Sequence, residues 1–185
     1  CILMSLCLSA CWSQRELNKL AIVVGAGLDV GDQPDSVKLT AQVVKASEIG
    51  AKSASQGAGA GNKAYVNISN TDMSVLSLIR GISHMHNRRL YFSHNKVLIF
   101  SSDLAKQNMA EGLDAFTRDH ESRMDIFLLV SRNQASEILK EEVEMEKVPA
   151  LHISGMMENQ KTNSETAIIT IRDFAIATLS GYTAP

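Results

Sequence analysis

Residues 20–28 read Leu-Ala-Ile-Val-Val-Gly-Ala-Gly-Leu (LAIVVGAGL), a nearly unbroken apolar run of strand length. A strand with one wet face alternates apolar and polar residues, so a run without polar interruption predicts a strand covered on both faces. Residues 29–35 (DVGDQPD) follow as turn chemistry for an antiparallel hairpin. Residues 37–43 (VKLTAQV) then alternate with period two, as a half-buried second strand does. A third strand is expected over residues 63–69 (KAYVNIS), with Tyr65 and Asn67 on one face and Val66 and Ile68 on the other.

Beyond these strands the apolar period lengthens. Asn70 or Thr71 can cap a helix running to about His86, with Met73, Leu76 and Ile79 as its regular apolar positions and Val75, Leu78 and Ile82 as less regular ones. Residues 97–100 (VLIF) have the composition of a buried strand. Ser102 and Asp103 then cap a helix that presents Leu104, Met109, Leu113 and Phe116 inward. Residues 124–130 (MDIFLLV) form another apolar strand, and residues 133–135 (NQA) open a charged amphipathic helix expected to end near Pro149. Its KEEVEMEK run (140–147) reads as a solvated face. Residues 150–160 and 165–179 suit helices, although Ile168, Ile169, Thr170 and Ile171 are β-branched and equally suit a strand. Strands first, then strands alternating with helices, predict an α/β fold: a central mixed β-sheet flanked by helices.

Glycine is frequent but lacks a nucleotide-binding pattern. Gly25 and Gly27 have no third glycine or helix start after them. Residues 50–62 (GAKSASQGAGAGN) lack the Gly-Lys-Ser/Thr of a P-loop. With only small or polar side chains, this segment is expected to be a mobile surface loop.

The amino-terminal residues 1–11 (CILMSLCLSAC) carry an uncharged apolar stretch ending in Leu8-Ser9-Ala10-Cys11. That is a lipoprotein signal, residues 1–10, with Cys11 placed for acylation as the new N-terminus. A bilayer span needs about 20 apolar residues, and Gln14, Arg15 and Glu16 arrive too early for one. With no Met and no basic region before it, the chain is expected to be cropped at this end. Of three cysteines, two leave with the signal and Cys11 is consumed by lipid, so none remains for a disulfide, a metal or a nucleophile. The covalent diacylglycerol and N-acyl lipid on Cys11 are the only attached groups expected; no cofactor and no metal are. What remains, residues 11–185, has the length of one domain. A formal net charge of −2 supplies no electrostatic reason for a nucleic-acid partner.

Candidate chemistry is sparse. His84, His86, His94 and Asp103 invite a metal reading, but His84 and His86 are two residues apart, whereas a helical ligand pair needs three or four. Ser93-His94 resembles a nucleophile and base only on paper, because neighbours in an extended segment project to opposite faces and no Gly-x-Ser-x-Gly elbow exists. Arg118-Asp119-His120-Glu121, with Arg123 and Asp125, is a dense charge cluster at a helix-to-strand junction, where ion pairs usually position the chain.

Three longer stretches carry a family resemblance: CWSQRELNKLAIVVGAGLD (11–29), RRLYFSHNKVLIFSSDLAKQNMAEGLDAFTRDHESRMDIFLLV (88–130) and KVPALHISGMMENQKTN (147–163). They resemble the C-subunit lipoproteins of spore germinant receptors, the GerAC-like family. The resemblance implies a lipid-anchored, non-enzymatic subunit on the outer face of the spore inner membrane, acting in nutrient germination with integral membrane A and B subunits. It implies further α/β domains beyond this N-terminal one. It marks Arg88, Arg89, Tyr91, Ser93, His94, Arg118, Asp119, His120, Glu121 and Arg123 as structural or partner-contact positions. Ser13 and Asn95 depart from its pattern, Asn95 standing where a more apolar residue is usual. The alternative is a solute-binding lipoprotein that captures the germinant itself, which calls for a pocket between two lobes.

Overall fold

A computed structural model of the chain describes residues 19–45, 63–119, 121–160 and 167–181. Residues 1–10, expected to be a signal, Cys11, residues 50–62, expected to be a mobile loop, and His120 lie outside the described residues. The strands are β1 (Leu20–Val30), β2 (Val37–Val44), β3 (Tyr65–Asp72), β4 (Arg89–Tyr91), β5 (Val97–Ser101) and β6 (Phe127–Ser131). The helices are α1 (Val75–Met85), α2 (Ser102–Arg118), α3 (Ala135–Ile138), α4 (Pro149–Gln160) and α5 (Ile171–Ser180). The sheet runs β3-β2-β1-β5-β6, with β4 beside the start of β1. Its β1, β2 and β3 neighbours are antiparallel, and β1, β4, β5 and β6 pair in parallel. The fold is therefore α/β with a mixed sheet, as the order of periods predicts.

β1 sits at the centre and is covered on both sides, as its apolar run requires. Ala21, Val23, Ala26 and Leu28 pack with α1, α2 and α5, while Val24 packs with α3 and α4. Val23 and Ala26 differ in parity yet share a face. The register against β2 jumps between Val23 and Gly25, and this bulge absorbs one residue and returns the alternation to the same side. The glycines have a packing role. A Cβ at Gly25 would collide with the Cβ of Ala150, and one at Gly27 would come within 3.1 Å of the Cβ of Ala135, so both let helices lie close on the strand.

The first face is an apolar layer: Val75, Leu78 and Ile82 of α1, and Leu104, Leu113 and Phe116 of α2, close over Leu39, Leu98 and Phe100. Full burial of such side chains contributes about 1.5–3 kcal/mol each. The inward face of α2 is the one its spacing predicts.

α1 differs from expectation in cap and in face. Asn70 and Thr71 continue β3, whose ladder with β2 runs to Asp72, so ladder bonds override their capping tendency. Ser74 is the cap, accepting from Ser77 N–H at 3.2 Å. The helix thus starts later and turns Val75, Leu78 and Ile82 inward, leaving Met73 and Leu76 exposed. For α2 the side-chain cap is Ser101, with Asp103 in the first turn.

β2 is not half-buried. Its apolar face packs on the first layer, but Thr40 and Gln42 on the other are fully buried as well. The long helix expected over residues 133–149 is also absent; α3 stops at Ile138. Glu137 and Glu141, like Glu142 and Glu146, would face each other one turn apart and repel. The carbonyl of Leu139 is instead taken by side chains of β2 and β3: Gln42 Nε2 donates to it at 2.6 Å and Asn67 Nδ2 at 2.8 Å.

In the last segment the helix forms from Ile171, and the strand alternative shrinks to one isolated bridge. Thr170 bridges antiparallel to Phe127, and Leu128 N–H donates to Ile169 O at 2.9 Å. The chain then turns into α5 through a capping box between Thr170 and Asp173.

Candidate functional site

The candidate residues gather where the chain enters the amino ends of the parallel strands, on the segments 88–96 and 118–126. Each entry is fixed by backbone bonds. Lys96 N–H donates to Val24 O at 3.0 Å, and Phe127 N–H donates to Lys96 O at 3.0 Å. Asn95 N–H closes a turn onto Phe92 O at 2.8 Å. Phe92, 2% exposed, meets the ring of Phe116 edge-on at 5.6 Å and anchors the first segment to the core.

Glu121 ties the two segments together. Ser93 Oγ donates to its carbonyl at 2.7 Å, and Arg89 Nη2 donates to its carboxylate at 3.2 Å. Its own N–H donates to Asp119 Oδ1 at 3.1 Å, and Ser122 Oγ donates to Asp119 Oδ2 at 3.3 Å. The Ser93 proton is thus committed to a carbonyl, and the ring of His94 lies 6.0 Å from that of Tyr91. Arg118 pairs with Asp114 one turn back at 2.7 Å. Arg123 grips both oxygens of Asp125, at 3.0 and 2.9 Å. That hydrogen bond holds the Asp125 carboxyl below its usual value, and the same partner raises the guanidinium of Arg123. Arg88 is exposed.

Two clefts flank this tie. One, of about 520 Å³, is lined by α1 together with Arg89, Arg118, Asp119 and Glu121. The other, of about 340 Å³, lies toward α4 and takes Ser93, His94 and Arg123. Seven of the ten marked residues thus divide between two clefts, while Arg88 and Tyr91 line neither and His120 lies outside the described residues. Both lie at the amino ends of the strands, whereas open α/β sheets place ligands beyond the carboxyl ends. His94 and Asp103 sit at opposite ends of β5. Among the described residues no three His, Cys, Asp or Glu side chains are placed to hold a metal ion.

The sequence reading passed over a buried polar set at the other side of the sheet. Asp29, 2% exposed, accepts from Ala135 N–H at 2.6 Å and Ser136 N–H at 3.0 Å, capping α3 from a distant strand. Gln42 Oε1 accepts from Ala150 N–H at 2.9 Å while its Nε2 serves Leu139 and Asn67. Only the lack of a capping side chain before Ala135 hints at a distant cap. Lys96, Ser154, Glu158 and Arg172, which line the smaller cleft, carry no sequence signal at all.

Comparison with known proteins gives the following. The family described as "Spore germination protein N-terminal domain" matches residues 13–185. In Bacillus subtilis (strain 168), spore germination protein YndF is 30% identical over 180 residues, 86% of this chain and 44% of its own length. Spore germination protein KC is 28% identical over 82% of this chain and 37% of its own length. Spore germination protein A3 is 24% identical over 88% and 42%. The chain thus spans less than half the length of these relatives. No solved structure matches it. No helix among the described residues is long and apolar enough to cross a membrane.

Proposed function

Because the chain belongs to the spore germination protein N-terminal domain family, we propose that it serves in germination as a lipid-anchored subunit of a nutrient germinant receptor. It works by assembly with integral membrane A and B subunits, without catalysis and without nucleic acid. Diacylglycerol and N-acyl lipid on Cys11 hold it to the outer face of the spore inner membrane, since two acyl chains anchor stably where one binds only marginally.

One observation carries the assembly reading. The charged residues at the amino ends bond to each other and to backbone, as in Ser93 to Glu121 and Arg89 to Glu121, instead of converging on a reacting centre. Such a tie makes a firm, charged platform with Arg88 and Arg118 at its surface, suited to a partner of opposite charge.

Deleting the gene should abolish germination by nutrients and leave non-nutrient germination intact; normal nutrient germination would sink the proposal. In spores that carry Cys11→Ala in place of the parent residue, the protein should move from the membrane fraction to the soluble one.

A further inference from the structure

The larger cleft borders a side of α1 that the core does not use. Val75, Leu78 and Ile82 turn inward, yet a second apolar set at helical spacing stays outside. Met73 is 56% and Leu76 41% exposed, and Ile79 is only partly buried. A surface helix normally carries one apolar stripe and a polar back. Single exposed apolar residues need no explanation, but Leu76 and Ile79 continue into a cleft floor that includes the buried Leu90 and Phe92. The result is a concave, apolar strip of about 520 Å³.

Three arginines and two carboxylates line it, and the carboxylates are committed. Glu121 takes Arg89, and Asp119 accepts from Ser122 Oγ and from the Glu121 N–H. Arg80, on the α1 wall, is exposed and enters no ion pair among the described residues. Arg118, on the opposite wall, meets Asp114, but its side chain is 74% exposed and such a surface pair is weak enough to yield to a better-placed carboxylate. An apolar floor between arginines complements a peptide segment that carries apolar side chains and carboxylates together. Isologous pairing of two copies would instead bring two basic rims together. A bilayer surface is smooth on this scale and does not enter a concave strip.

Resting on the assembly reading, we propose that this cleft receives an acidic, apolar segment of a membrane partner subunit, with an aliphatic or aromatic side chain seated on Leu76, Ile79 and Leu90 and a carboxylate on Arg80.

Photo-crosslinking in intact spores tests this, with p-benzoylphenylalanine replacing the exposed Leu76 of the full-length protein. Position 76 should link to a membrane subunit, within a segment that sets Asp or Glu beside apolar residues. Links to lipid, links to a second copy of the protein, or no link overturn the proposal. Arg80→Glu sets like charges against each other and should cut the membrane subunit recovered with the detergent-solubilised protein about tenfold, whereas Arg80→Lys should keep most of it. Because Arg80 is exposed, both variants should unfold at the parent's urea midpoint, and unchanged recovery with Arg80→Glu also overturns the proposal. Subunits recovered with the parent protein but no link from position 76 remove this cleft and leave the assembly role standing; subunits absent even from the parent protein remove both.

Discussion

Beneath α3 and α4, the buried Asp29 and Gln42 meet backbone groups out of reach of water, with the half-buried Asn67 beside them, whereas at the amino ends Arg89, Arg123 and Asp125 pair with side chains at the surface. The first set is short of charge and nearly invisible in the sequence; the second is the densest charge cluster in the chain. Their energetic ranking runs the other way. A buried donor or acceptor stripped of its partner bears the whole cost of its desolvation, while an exposed ion pair exchanges one strong partner for water and is worth about 0–1 kcal/mol. Gln42 and Asp29 hold helices to the sheet, and the surface pairs orient the segments that enter it.

The sharpest way to break this contrast is Gln42→Ala. It strands the N–H of Ala150, takes one of two donors from the Leu139 carbonyl, and opens a void where the side chain is fully buried. The expected loss is about 3 kcal/mol in urea unfolding, with the slope unchanged. A loss below that of any surface-pair variant would reverse the ranking. Asp29→Ala removes the distant cap from the Ala135 and Ser136 amides. Its cost should be about 2 kcal/mol, the upper range for caps because the site is buried. Hydrogen exchange at those amides should quicken more than at β5.

The same contrast explains what could be seen in advance. Apolar patterning reports what a face buries, so β1, β5 and the inward face of α2 were legible. Period two in β2 reports which residues share a face, but not what lies over the other one, and Gln42 looked like any solvent-facing polar residue. In α1 both apolar sets obey helical spacing, and only the point where the β3 ladder stops, a tertiary matter, decides that Val75 and not Met73 turns inward. The helix expected across residues 139–148 lost to contacts with residues about 70 to 100 positions away, which no local window contains. The candidate cluster was visible as charge, yet its division between two clefts depends on Glu121 meeting Ser93 and Arg89 across 28 and 32 residues.

Two smaller tests address the surface side. Arg89→Ala removes an arginine that is 53% exposed from Glu121, whose side chain is 7% exposed. Its cost should be about 1 kcal/mol, between the two classes. Equality with Gln42→Ala would place the tie among the buried set.

The Arg123–Asp125 pair should show the smallest effect, and its sign can be worked out. Arg123 lowers the folded-state pKa of Asp125 below the ordinary 3.8. The pair's contribution is therefore fully present above that value and is lost as pH falls through the lower folded value. With side chains 64% and 54% exposed, solvent screening leaves it the weakest of these interactions. Asp125→Asn should thus lower the urea midpoint slightly at pH 7, and the gap between variant and parent should narrow as pH falls below 3.8, close once the folded-state carboxyl is protonated, and shrink in high salt. A gap that does not narrow with falling pH would assign the Asp125 effect to packing, and one as large as that of Asp29→Ala would erase the distinction between the surface pairs and the buried clamps.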